Sequence, residues 1–474
     1  MRKLLLILSV TFLSCSSGQA LRKPDSVAPS TILLVSDIHL DPFYDPVLVQ
    51  RLKDAKNGSE WSAIFERSSV TGPSRPGNDP NYPLFKASLA AMKAAVPEPK
   101  TILIAGDFLR HGFVLAVQTP PGLPLPKEKN KKPNTVIDPA VQDFAVKTIQ
   151  FIAESFRGTF PDAQILAAAG NNDSACGDYE FAPNEVFLSA MAEAFAPSSG
   201  TADFVSQFSG SGHFSTRLAA YPNVQVLAMN DVSWSRRYVN GCGKPSSNPA
   251  EDEMTWLEAK LKEAQDAGQR IWLLNHVPAG IDIASIVYGK LKVCETGEFP
   301  MMLGTWNSPF LALVAKYRSS IAVNISGHTH SNEFRIYGAA GNDPLPAFVV
   351  PSISPLHENN PAFQTLEIDS NTGEIENLNT YSLDLSGPAD SLTPWRPSSD
   401  FKSDYSQAGP SGAGLIETLG NLKANPEQLK AYILRMNSGA QSPAAIAQKN
   451  ATAFLCGISN LETESYKNCY CDGR

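Results

Sequence analysis

The chain reads as an α/β protein, a layered sheet with helices packed outside it. Three observations predict this. Short apolar runs end in polar residues at five places, helical apolar spacing fills the intervals, and the composition is that of an ordinary globular protein, 43% hydrophobic and 18% charged over 474 residues. Parallel strands are buried on both faces and read as unbroken apolar runs, and ligands gather beyond their carboxyl ends.

In chain order, residues 1–20 have the form of a secretion signal: Arg2 and Lys3, an apolar stretch from Leu4 to Leu13, then Gly18-Gln19-Ala20 as a small-residue cleavage site. That stretch is too short to span a bilayer. Leu13-Ser14-Cys15 also approaches a lipobox, with Phe12 where Leu is usual, so a lipid anchor at Cys15 stands beside simple secretion. A short lead-in reaches the first strand, 31–35, which runs into Ser36-Asp37-Ile38-His39. Strand 101–105 precedes Gly106-Asp107, and 165–169 precedes Gly170-Asn171-Asn172-Asp173. Strand 271–274 leads to Asn275-His276, and 321–325 to Ser326-Gly327-His328-Thr329-His330. Helices are expected at 84–95, 141–156, 251–267 and 308–317. The Pro-dense segment 119–139, with its basic run Lys127 to Lys132, reads as a solvated loop. Residues 31–385 form the expected catalytic domain, 386–412 a Ser- and Pro-rich linker, and 413–474 a small helical subdomain with Asn425-Pro426-Glu427 as a helix start. No internal repeat is present.

A net charge of −8 supplies no basic footprint, so nucleic-acid binding is disfavoured and a soluble exported enzyme is the default. Apart from Cys15 the cysteines are Cys176, Cys242, Cys294, Cys456, Cys469 and Cys471, an even number that fits disulfides in an oxidising compartment. Six cysteines leave about 15 pairings open. Cys469-Tyr470-Cys471 has no histidine nearby and makes a poor zinc site.

The polar residues at the strand ends carry the chemistry. Neutral imidazole, carboxylate and amide oxygen suit zinc, iron or manganese, and an aspartate offering both oxygens bridges two ions. Five such ends could encircle a two-metal centre.

These residues resemble the calcineurin-like metallophosphoesterases, whose pattern runs Asp-x-His, Gly-Asp, Gly-Asn, Asn-His and Gly-His-x-His. The stretches Ser36-Asp37-Ile38-His39-Leu40-Asp41-Pro42-Phe43-Tyr44, Gly106-Asp107-Phe108-Leu109-Arg110-His111 and Pro351-Ser352-Ile353-Ser354-Pro355, with Asn359-Asn360-Pro361, look like the branch of acid sphingomyelinase-like phosphodiesterases and endopolyphosphatases. The resemblance covers roughly 31–369 and implies a four-layer αββα sandwich with a small helical, cysteine-containing C-terminal subdomain. It implies that Asp37, His39 and His330 hold one ion, that Asn171, His276 and His328 hold the other, and that Asp107 bridges them. Two divalent ions so placed, zinc first with iron or manganese as alternatives, activate a shared water and clamp a phosphate for in-line attack. His111 then protonates the leaving oxygen. Where many relatives have His, this chain has Asn172, which orients a phosphate oxygen but cannot serve as an acid, and the endopolyphosphatase side shows this version.

The expected activity is hydrolysis of a phosphodiester or phosphoanhydride, with a lipid headgroup, nucleotide or polyphosphate as substrate and transient contact with a membrane surface. Endopolyphosphatase or nucleotide phosphohydrolase action on the same site is the alternative. A catalytically silent binding protein is the non-enzyme reading, and the complete ligand set speaks against it. His213 is read as structural, His357 as part of the pocket wall, and Arg236-Arg237 as a solvated pair. Glycosylation sequons begin at Asn57, Asn324 and Asn450.

Overall fold

The computed structural model describes residues 30–126, 136–242, 248–295, 297–369, 372–387, 394–405 and 409–471. The expected signal, Cys15 and the run Lys127 to Lys132 lie outside the described residues.

Among the described residues, twelve strands form two sheets. β1 (Ser30–Val35), β2 (Thr101–Ile104) and β3 (Gln164–Ala167) open the first sheet. The second is built from β4 (Phe214–Leu218), β5 (Tyr221–Ala228), β6 (Arg270–Leu274), β7 (Ile321–Ser326), β8 (Glu333–Tyr337) and β9 (Leu345–Val349). β10 (Ala362–Ile368), β11 (Ile375–Ser382) and β12 (Arg396–Asp400) return to the first. The strand orders are β12-β11-β10-β1-β2-β3 and β4-β5-β6-β7-β9-β8. β1, β2 and β3 are mutually parallel, as are β5, β6, β7 and β9, while β10 runs antiparallel to β1 with Ile32 opposite Leu366.

The five apolar runs are thus β1, β2, β3, β6 and β7, the parallel strands whose two faces are both covered. Alternate residues of the second sheet divide between two cores, as the period of two requires. Val226, Trp272, Leu274, Val323, Ile325 and Phe348 join Leu33, Ile102 and Ile165 between the sheets. Leu227, Ile271, Leu273, Ile321 and Ala347 instead meet Leu257, Leu261, Phe310 and Val314 of helices Pro249–Asp266 and Gly304–Lys316. Helices Tyr82–Ala95 and Pro139–Thr159 cover the first sheet with Leu89, Met92, Phe144, Ile149 and Ile152. The four-layer arrangement follows.

All four expected helices begin earlier than their apolar spacing suggested; three of them start on an Asn or Asp with a proline in the first turn, which has no periodic partner, while Gly304–Lys316 follows Leu303 without a side-chain cap. Asn81 accepts from Leu84 N and Asp138 from Ala140 N, each with a proline in the first turn, where the missing N–H costs nothing.

Segment 386–412 contains more structure than its composition suggests. β12 adds to the sheet edge, where Pro397 needs no ladder N–H on its outer side, and helix Phe401–Tyr405 follows. Five helices follow among the described residues: Gly412–Ala424, Pro426–Met436, Gln441–Lys449, Ala451–Ser459 and Thr463–Cys471. Their Leu415, Leu419, Tyr432, Ile433, Met436 and Ile458 bury into the core shared by the sheets. The cysteines pair as Cys176–Cys242, Cys294–Cys471 and Cys456–Cys469. No helix among the described residues is long and apolar enough to cross a membrane. The sequon at Asn324 falls inside β7, fully buried and donating to Asn275 Oδ1 at 2.7 Å, which leaves no room for a glycan.

Candidate metal centre

β1, β2, β3, β6 and β7 end along one rim, and the chain turns sharply as it leaves three of them. Asp37, His39, Asp107, His328 and His330 all adopt a left-handed backbone, with φ of 50°, 43°, 60°, 76° and 60°. Asp37 N donates to Gly106 O and His39 N to Asp107 O, both at 3.0 Å, so the two turns hold each other. Each turn aims its side chain across the rim.

Seven predicted residues meet there. Asp107 Oδ2 lies 3.4 Å from His39 Nε2 and 3.3 Å from His276 Nε2. Asp37 Oδ1 lies 3.4 Å from His330 Nε2 and 3.7 Å from His39 Nε2. Asn171 Oδ1 sits 2.9 Å from His276 Nε2, and His328 N donates to Asp37 Oδ2 at 3.0 Å. All but His328 are buried.

The tautomers follow from the carbonyls behind the rings. His39 Nδ1 reaches Leu109 O at 2.8 Å and His276 Nδ1 reaches Ala105 O at 2.6 Å, and a carbonyl only accepts, so Nδ1 carries the proton and Nε2 presents its lone pair inward. The result is a convergence of lone pairs. His39 Nε2 and His330 Nε2 face each other at 3.2 Å, and Asp37 Oδ1 is buried with no hydrogen-bond partner. Such a set is satisfied by cations, and the donors fit divalent ions. Without them protons take that place: burial opposes charge on both rings, yet Asp107 outweighs it and pushes His39 up to about 9 and His276 up to about 10. Burial also works against ionised Asp107, but His276 and His39 hold it well below the usual carboxylate range. Burial and neighbouring cationic rings keep His328 and His330 neutral, as ligands must be.

His111 is brought to the same rim, stacked on His39 with ring centroids 3.9 Å apart. Its Nδ1 meets Asp79 Oδ1 at 3.1 Å, its backbone N–H donates to Asp79 Oδ2 at 2.9 Å, and Ser354 Oγ donates to Asp79 Oδ1 at 2.8 Å. Burial resists the Asp79 charge, but His111 and its neighbours hold it well below the usual range. Asn172 is spent differently from the expectation of a substrate-facing amide, since its N and Nδ2 donate to Asp107 Oδ1 and Oδ2 at 2.8 and 2.9 Å.

Of the remaining histidines, His357 is exposed and edges onto His330 with centroids 4.6 Å apart. His213 stacks on Trp256 and meets Glu253 Oε2 at 2.6 Å, away from this cluster. Arg236 is paired with Asp282, while Arg237 lies over the Tyr179 ring, 4.5 Å from its centroid.

Several residues of the site escaped the sequence reading. Asp173 accepts backbone N–H from Asp107, Phe108, Leu109 and Gly170 and so shapes two turns at once. Asp231 does the same for His276 and Val277. Asp173 sits beside Asn172 in a recognisable strand end, and Asp231 follows the apolar run Val226 to Met229, but Asp79 and Tyr179 follow no apolar run of the kind that marked the others.

Comparison with known proteins agrees with the geometry. The profile described as calcineurin-like phosphoesterase matches residues 30–332. The chain is 23% identical over 465 residues to acid sphingomyelinase-like phosphodiesterase 3b of Homo sapiens, covering 93% of this chain and 90% of that protein. It is 23% identical over 448 residues to a cyclic GMP-AMP phosphodiesterase of Mus musculus, covering 92% and 90%. Over 244 residues it is 27% identical to sphingomyelinase phosphodiesterase D of Dictyostelium discoideum, covering 49% and 50%. The rim of strand ends, with its facing carboxylates and imidazoles, lies within the matched residues, and the chain belongs to the calcineurin-like phosphoesterase family.

Proposed function

We propose that this protein is an exported dinuclear-metal phosphodiesterase. One observation carries the reading: Asp37 Oδ1, Asp107 Oδ2 and the Nε2 atoms of His39, His276 and His330 converge in a buried space with an orphaned carboxylate oxygen and opposed lone pairs. Asp37, His39 and His330 are assigned to one ion, Asn171, His276 and His328 to the other, and Asp107 to both. Divalent ions, zinc in the first instance, would supply an acidified water and a clamp on phosphate oxygens. The chain's own residues do the rest. Asp79 holds His111 Nδ1, so Nε2 can carry a proton to the leaving oxygen. Asn172 donates to Asp107, and a phosphate oxygen entering the site would compete for the same amide. Three disulfides support passage through an oxidising compartment.

The substrate class follows from the leaving group. With Asn172 where a second acid would stand, His111 alone protonates it, which favours leaving groups that depart readily. A phosphoanhydride, nucleotide ones included, releases a phosphate and fits that demand better than an ester that releases an alkoxide. Sphingomyelin, named in two relatives that match 65% and 70% of the chain, is the second reading.

The test is a substrate panel on purified protein with metal content measured alongside: bis-p-nitrophenyl phosphate, p-nitrophenyl phosphate, sphingomyelin, ATP, a cyclic dinucleotide and polyphosphate. Two bound ions with turnover of at least one phosphodiester or anhydride is the expected outcome. Two bound ions and silence throughout would establish the binding-protein reading, and failure to retain ions would remove the dinuclear one.

A further inference from the structure

Tyr179 is an aromatic residue held in the left-handed region, φ 56°, where a bulky side chain is an outlier. The surroundings impose it. Its N–H donates to Asn171 O at 2.8 Å, its carbonyl accepts from Val239 N at 3.0 Å, and the Cys176–Cys242 disulfide joins the two loops that make these contacts. Arg237 lies against one face of the ring and meets Asp178 at 3.5 Å, while Asp178 Oδ1 accepts from Asn171 Nδ2 at 2.6 Å. Strain maintained by this many contacts points to a task for the side chain. The hydroxyl shows which one: Tyr179 Oη lies 3.0 Å from His328 Nε2, with the tyrosine 3% exposed.

His39 and His276 turn Nε2 inward because carbonyls occupy Nδ1. His328 is arranged the other way round, with the phenol occupying Nε2. A neutral imidazole has one N–H. Were the phenol to donate to Nε2, the proton would sit on Nδ1 and neither ring nitrogen would keep a lone pair for an ion. If Nε2–H donates to Tyr179 Oη instead, Nδ1 is the free donor.

We propose that Tyr179 is a positioning residue that selects Nδ1 of His328 as the ion-binding nitrogen, so that this one histidine ligates through the opposite ring atom from His39 and His276. The proposal rests on the dinuclear reading above. It also gives the disulfide-joined loops a purpose, since they carry Tyr179 and Asp178, which orient the His328 ring and the Asn171 amide assigned to the same ion.

Tyr179→Phe keeps the ring under Arg237 and removes only the hydroxyl. Zinc stoichiometry and affinity, measured by competition with a chelator, are expected to change for one ion alone, which weakens by roughly 10–100-fold while the other is unaffected. The melting temperature of the chelated protein should stay at the wild-type value, which a purely structural role would not allow. Wild-type affinity for both ions in Tyr179→Phe overturns the proposal. Wild-type protein that binds fewer than two ions instead overturns the dinuclear reading, so the two failures are distinct. A second measurement needs no variant at Tyr179: long-range proton–nitrogen correlation on the zinc-loaded wild type, with the His328 signal assigned by its loss in His328→Asn. A protonated Nε2 and a metallated Nδ1 are expected, and a metallated Nε2 overturns the proposal even if Tyr179→Phe fails to fold.

Discussion

Asp37, His39, Asp107, His328 and His330 share a conformation that side-chain residues rarely adopt, and each costs on the order of 1–3 kcal/mol where the surrounding contacts do not over-determine it. Here interlocking turns do so, and the gain is side chains aimed at one point. Their identity was legible in the sequence because each follows an apolar run; their backbone strain was not, since no glycine marks it. Asp79 was invisible for a different reason. It precedes a helix rather than ending a strand, and only folding sets its carboxylate against His111. Removing the imidazole in His111→Ala should lower turnover by roughly 100- to 10,000-fold, the span of a general acid's contribution, with both ions retained in metal analysis. Asp79→Asn should cause a smaller loss, because the amide oxygen still accepts one N–H while its NH₂ opposes the other. Unchanged turnover in His111→Ala would remove the proton-donor assignment.

At the scale of elements, the centre depends on strand ends approaching until only hydrogen atoms fit between them. A Cβ on Gly327 would stand 1.9 Å from Ser36 Oγ and 2.8 Å from Asp37 Oδ2, and one on Gly170 would stand 2.2 Å from Asp107 Oδ1. Gly327→Ala must therefore push Ser36 and Asp37 away from His330. The expected result is a protein that folds but loses the ion assigned to Asp37 on dialysis, read as metal per chain; a full complement of two ions would show that the loops yield without moving the carboxylate. The same closeness explains what was legible. β1, β2, β3, β6 and β7 are buried on both faces and announce themselves as apolar runs. β4 and β11 alternate between buried and partly exposed residues, and β12 carries Pro397 and three exposed positions, so their sequences look like loops until a neighbouring strand is present to pair with them.

Over the whole molecule, stability is shaped by groups far from the candidate metal centre. Burial pushes Glu185 up to about 7, above its ordinary 4.5, despite bonds from Ala175 N and Ser174 Oγ; Tyr238 is the titratable neighbour, and Cys176 and Cys242 are locked in their disulfide. The folded chain thus keeps a proton that the unfolded chain releases between those values. Stability should fall across that window as pH rises, by up to about 3 kcal/mol, and Glu185→Gln should flatten the fall in melting curves taken at each pH. A parallel pH profile in the variant would refute this origin. The C-terminal helices act through distance rather than charge. Cys294–Cys471 closes a separation of 177 residues, and the helices it secures brace the segments beside the centre: Asn332 N donates to Met436 O at 2.8 Å, Asn360 Nδ2 to Ser438 O at 3.1 Å, and Ser442 Oγ to Glu358 Oε2 at 2.9 Å. Glu358 adjoins His357, and the same loop holds Ser354, which supports Asp79 and through it His111. Cys471→Ser, with Cys294→Ser to avoid a free thiol, should cost roughly 2–5 kcal/mol of unfolding free energy. If the tail also braces the loop, turnover should fall while both ions remain, because the strand-end turns do not depend on it. Loss of stability with undiminished turnover would confine the tail to a structural role, and loss of ions would show that its influence extends through the loop to the rim itself.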